Sequence, residues 1–120
     1  MTTIAITELV ERQVRSIAQP ELAMLACRLL VPPRLEQRPW NYGAEGEHFP
    51  CWLVLEHQPS NTGIVYCAHG FGPSYSWGLL FLSGQHMSMG MDSAWFASLE
   101  DALRNCAAWQ GENPPGYEVA

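Results

Sequence analysis

Apolar residues recur at three- and four-residue steps from Ile6 through Leu9, Val10 and Val14 to Ile17. That spacing predicts an amphipathic helix over residues 4–18. Glu8 with Arg12 and Glu11 with Arg15 add i,i+4 pairs in the favourable order, and Thr2 or Thr3 is placed to cap the start. Pro20 then marks a break or the first turn of a second helix. Residues 20–31 are almost uniformly apolar, which predicts a helix buried on most sides and ended by Pro32 and Pro33.

The helical period then stops. Residues 32–50 hold Pro32, Pro33, Pro39, Gly43, Gly46 and Pro50 and read as a long connection. Trp40, Tyr42 and Phe49 lie within it, so it is expected to pack onto something. Three strand-like runs follow over residues 51–57, 64–69 and 75–83, separated by turn-rich stretches at 58–63 and 70–74. Short links between successive strands favour an antiparallel meander. Residues 84–93, with Met87, Met89 and Met91 between glycines, are either a fourth short strand or an adaptable loop.

A last helix is expected over 94–110. Its N-cap is Ser98 with Asp101, or Asp92 or Ser93 if it starts earlier. Leu99, Leu103, Cys106 and Ala107 form its apolar face, Glu100 pairs with Arg104, and Gly111 suits a left-handed stop. Residues 111–120 read as a tail. The whole is one α+β domain of 120 residues, with N-terminal helices, a three- to four-stranded antiparallel meander and a C-terminal helix.

Charge narrows the partners. The six basic residues are all Arg. Residues 1–38 carry five of them against four Glu, whereas residues 39–120 carry only Arg104 against eight acids. The formal net charge of −6 repels phosphate backbones, so nucleic acid is not expected as a partner. The same charge attracts a basic protein, or simply maintains solubility. Charged residues interrupt the place of an export signal, and the longest apolar run, Leu22–Val31, is too short to cross a membrane. Cys27, Cys51, Cys67 and Cys106 sit in apolar runs, as buried reduced thiols do, so the expected compartment is the cytosol.

Candidate chemistry is sparse. Cys51, His57, Cys67 and His69 lack the close spacing of zinc ligands, and Cys51 and His57 stand about 20 Å apart along a strand, so neither metal nor cofactor is expected. Cys67 and His69 share one strand face and form the enzymatic alternative: a thiolate activated by imidazole, with Glu56 across the hairpin as orienting group. The plain alternative is a buried Cys beside a strand-end His. His69-Gly-Phe-Gly72 has no accompanying Gly-x-Ser-x-Gly elbow and reads as a turn.

Nine of the 13 aromatic residues fall between 40 and 81, as core material or as anchors for a partner. The candidate binding segment comprises Trp40, Tyr42, Glu45, Glu47, His48 and Phe49, with Asp92 beside the methionines as a second patch. Acids around aromatic anchors steer a basic partner from the rim.

The block containing Trp40-x-Tyr-Gly, Pro50-Cys-Trp, Gly63-Ile-Val-Tyr-Cys, Gly70-Phe-Gly-Pro, Trp77-Gly-Leu and Met89-Gly-Met-Asp-Ser-x-Trp-Phe resembles small single-domain bacterial proteins. In size and acidity the chain is similar to immunity proteins that neutralise a secreted toxin. The resemblance implies a protein partner, a basic toxin, and carries over no functional residue.

Overall fold

The computed structural model describes residues 2–39, 48–68, 74–84, 88, 94–115 and 117. Helix α1 (Thr3–Arg15) begins where the Thr2 hydroxyl accepts the Ala5 N–H, and Ile6 and Val10 are its buried positions. Helix α2 (Pro20–Leu29) starts with Pro at its first position and ends at Leu30, whose backbone is already extended. It buries Leu22, Leu25 and Ala26 on one face only: Met24 is 67% exposed, and Cys27 is exposed as well. The expectation of a helix buried on most sides is therefore corrected. Apolar content alone does not set burial; α2 lies on the outside of a sheet and has one face to cover.

The sheet has five antiparallel strands in sequence order, β1 (Leu30–Pro39), β2 (His48–His57), β3 (Thr62–Tyr66), β4 (Trp77–Phe81) and β5 (Trp95–Phe96). The α+β meander is as the sequence implies, with strands added at both ends. The expected 32–50 connection is the largest correction, because residues 32–39 belong to β1 and 48–50 to β2. Three features make this proline-rich strand possible. It lies at the sheet edge, where proline is tolerated. Pro32 and Pro33 fall in the register break between Leu30 and Arg34. Pro39 and Pro50 then occupy alternate pairs of one ladder, opposite His48 and Gln37.

Both sheet faces are buried. On one side Val54, Leu55, Ile64, Trp77 and Phe96 pack with Ile6, Leu22, Leu25, Leu99 and Leu103 from the three helices. On the other, Cys51, Leu53, Val65, Cys67, Leu80 and Trp95 form a second cluster. Double burial explains the unbroken apolar run of β2, and a register shift between Leu53 and Leu55 turns Val54 and Leu55 toward the helices. Gly78 lets Trp95 lie flat on the second face, since a Cβ there would come 2.8 Å from the indole.

Helix α3 (Leu99–Arg104) is shorter than the expected 94–110, because Trp95 and Phe96 extend as β5 and Ser98 caps the helix by accepting the Asp101 N–H. Ala107 is exposed and is not part of the buried face. Gly111 is not a left-handed stop: among the described residues the glycine in that conformation is Gly84, and a Cβ on Gly111 would strike the Trp109 ring. The presumed tail packs back on α3. Asn113 accepts from Arg104 and Trp109, and the Tyr117 hydroxyl donates to Asp101. Arg104 also bonds Glu100, as its spacing implied, and the Gln19 side chain between α1 and α2. Most of 84–93 lies outside the described residues, including the three methionines.

Candidate functional site

Strand register builds two cross-strand rows, one per face. Leu35 lies opposite Trp52, Trp52 opposite Tyr66, Tyr66 opposite Trp77, and Trp77 opposite Phe96. This row crosses all five strands on the helix-covered side. Tyr66 and Trp77 meet with ring centroids 5.0 Å apart at 58°, a favourable tilted arrangement. Burial falls along the row: Phe96 and Trp77 are in the core, Tyr66 and Trp52 are half-buried against it, and Leu35 on the edge strand is 48% exposed. The row is thus a core layer that runs out of helical cover at the β1 edge.

The opposite face carries a buried polar row. Glu36 lies opposite Cys51, and continuing the β2–β3 register one step beyond Trp52 and Tyr66 sets Cys51 opposite Cys67. The Cys67 N–H donates to the Ser76 carbonyl at 2.9 Å, which extends the row to β4. Arg38, only 2% exposed, donates through Nε and Nη2 to Glu36 Oε1 at 3.2 and 2.9 Å, and through Nη2 to the Phe81 carbonyl at 2.9 Å. Arg34 bridges Glu36 and Glu56 from the exposed side at 3.4 Å.

The two thiols are hydrogen-bonded to each other, and the Cys51 thiol lies 3.6 Å from the Phe49 carbonyl oxygen. That bond to Cys67, followed by burial, pushes the Cys51 thiol far above its ordinary value, against a smaller opposing pull from Arg38. Cys51 is therefore a protonated thiol at neutral pH and a poor nucleophile. The folded state holds the proton more tightly than the unfolded chain does. Its contribution to stability is full below the ordinary thiol value of 9.0 and is lost as the pH rises above it. The urea midpoint of the wild type should fall more steeply above about pH 9 than that of Cys51→Ala. Equal slopes would refute this assignment.

Among the described residues, those singled out in the sequence do not form one site. Trp40, Tyr42, Glu45, Glu47, Asp92 and His69 lie outside the described residues. His48 is exposed at the start of β2, whereas Phe49 is half-buried against the Cys51–Cys67 face. Strand alternation turns these two neighbours to opposite sides, so they do not form one patch. Glu56 sits opposite Gly63, five residues along β2 from Cys51, or about 17 Å. It accepts from Arg34 and Gln58 and does not orient Cys67. Among the described residues, no three His, Cys, Asp or Glu side chains gather as metal ligands, and no helix is long and apolar enough to cross a membrane.

Sequence reasoning also passed over a hydroxyl chain at the β2–β3 turn, where His57 Nδ1 bonds Ser60 Oγ at 2.7 Å and Ser60 Oγ bonds Thr62 Oγ1 at 2.6 Å. It spans the turn whose Asn61 has φ of 55°, and a small cleft lined by Leu29, Ile64 and Leu79 adjoins it. Among the described residues no carboxylate bonds the His57 ring, and the hydroxyl chain closes the turn. No family model, curated protein or solved structure matches this chain.

Proposed function

We propose that this chain is a small acidic protein-binding module of the bacterial cytoplasm, and that its partner is a basic protein. A toxin held inactive, as immunity proteins do, is the most concrete form of that partner. The observation that carries the reading is the Leu35–Trp52–Tyr66 end of the aromatic row, where two large rings and an exposed leucine lie beside one another at the sheet edge. Rings partly seated in a core are pre-ordered, so a partner covering them gains apolar area at little entropic cost. The net charge of −6 favours a basic partner and disfavours nucleic acid. The alternative, an enzyme using Cys67, is less well supported. Its thiol is 1% exposed and hydrogen-bonded to a second thiol, and Glu56 stands at the other end of β2.

The test is affinity capture from the host, then titration of the purified partner. Leu35→Glu should leave the circular dichroism spectrum unchanged, because the side chain is about half in water, and should weaken binding about tenfold or more. Wild-type affinity should fall with added salt. Undiminished binding by Leu35→Glu, or a retained partner that is acidic, would sink the proposal.

A further inference from the structure

We propose that Cys51 and Cys67 are an oxidisable pair that a peroxide closes into a disulfide between β2 and β3. Three features of the structure support the pairing. First, the β2–β3 register, continued one step beyond Trp52 and Tyr66, sets the two residues opposite each other. Opposing Cα atoms in an antiparallel ladder are about 4.5–5.5 Å apart, inside the range that a disulfide spans. Second, both side chains belong to the same buried cluster on the same face of the sheet. Third, the other two cysteines lie elsewhere: Cys27 is exposed on α2, and Cys106 is buried with the helices on the opposite side of the sheet. The arrangement therefore selects one pairing among the four thiols.

The chemistry balances without a cofactor. One thiol, as thiolate, attacks a peroxide oxygen, the O–O bond breaks, and a sulfenic acid and water form when the peroxide is hydrogen peroxide. The second sulfur then attacks the first, the S–O bond breaks, and a second water leaves. Two thiols and one peroxide give one disulfide and two waters, with two electrons passing from the sulfurs to the peroxide. Burial makes the step slow, because reagent must wait for local opening. The pair lies one step beyond Trp52 and Tyr66, the last ladder pair of β2 and β3, and Cys51 is also paired with Glu36 of β1, so the opening must loosen both neighbours of β2. Exposed Cys27 reacts first, without an intramolecular partner. The crosslink, once closed, ties residues 51 and 67 and restricts the unfolded chain.

The experiment uses the full chain carrying Cys27→Ser, which removes the exposed thiol and with it linkage between chains. Hydrogen peroxide is added, the reaction is quenched, and the protein is denatured, alkylated and digested. The expected result is a fall from three free thiols to one, a single crosslinked peptide pair joining Cys51 to Cys67, recovery of all thiols with dithiothreitol, and a higher urea midpoint for the oxidised form. Adding Cys67→Ser should abolish the crosslink. Mapping the crosslink in the parent protein answers the question even if that variant does not fold. Cys51 and Cys67 remaining reduced while peroxide is consumed, a crosslink to Cys106, or conversion to sulfinic acid without a crosslink would each overturn the proposal.

Discussion

Arg38→Ala is expected to destabilise the protein by about 3 kcal/mol, which is large for a residue far from the sequence's apolar runs. The guanidinium is buried and bonds Glu36 through two nitrogens, while also donating to the Phe81 carbonyl in β4. Truncation removes these donors and opens a void over the second cluster. Glu36 retains one-fifth of its side-chain exposure and its Arg34 contact, so the loss should lie at the lower end for a broken buried pair. Arg38→Met with Glu36→Gln removes the charges together and keeps most of the volume, so it should cost clearly less than Arg38→Ala alone. Urea unfolding of the three proteins decides this. An Arg38→Ala loss under about 1 kcal/mol would mean that the guanidinium is not held as described.

Much of this architecture is local and therefore legible. Thr2, Ser98 and the Glu100–Arg104 pair act within one turn of chain, and each does what its spacing implies. The meander order follows from short links between strands. What escaped depends on neighbours distant in sequence. Strand β1 looks irregular because proline is normally evidence against a strand, yet edge position and a register break remove the objection. Strand β5 is two residues long and exists only through its pairing with β4. Arg38 reads as a surface charge until β1 is paired.

The candidate site shows the same divide. Trp52 and Tyr66 stand out as aromatics, but their alignment with Leu35 requires register across three strands. Sorting cysteines by single-strand parity groups Cys67 with His69. The relation that matters runs across the ladder, to Cys51. A usable signal was present: a tight turn at Gln58–Asn61 followed outward through both strands, with one bulge at Val54, sets the two cysteines opposite each other.

That register also makes Gly63 the most constrained glycine among those described in the sheet, and Gly63→Ala should cost about 2–3 kcal/mol. A Cβ there would come 2.6 Å from the Leu55 carbonyl oxygen, 2.7 Å from Leu82 and 2.8 Å from Leu53. The two leucine tips can rotate aside, but the carbonyl belongs to the paired backbone of β2 and moves only if the ladder shifts. Gly78→Ala meets the Trp95 indole at 2.8 Å, a side chain rather than paired backbone, so its cost should be smaller. Gly84→Ala meets no atom within 4 Å; its penalty arises from a φ of +106° and should be about 1 kcal/mol. The expected order of destabilisation is therefore Gly63, then Gly78, then Gly84, measured as urea midpoints with unchanged slope. A Gly63→Ala protein as stable as Gly84→Ala would show that β2 and β3 do not approach at Leu55 as the register on the turn side of the Val54 bulge requires.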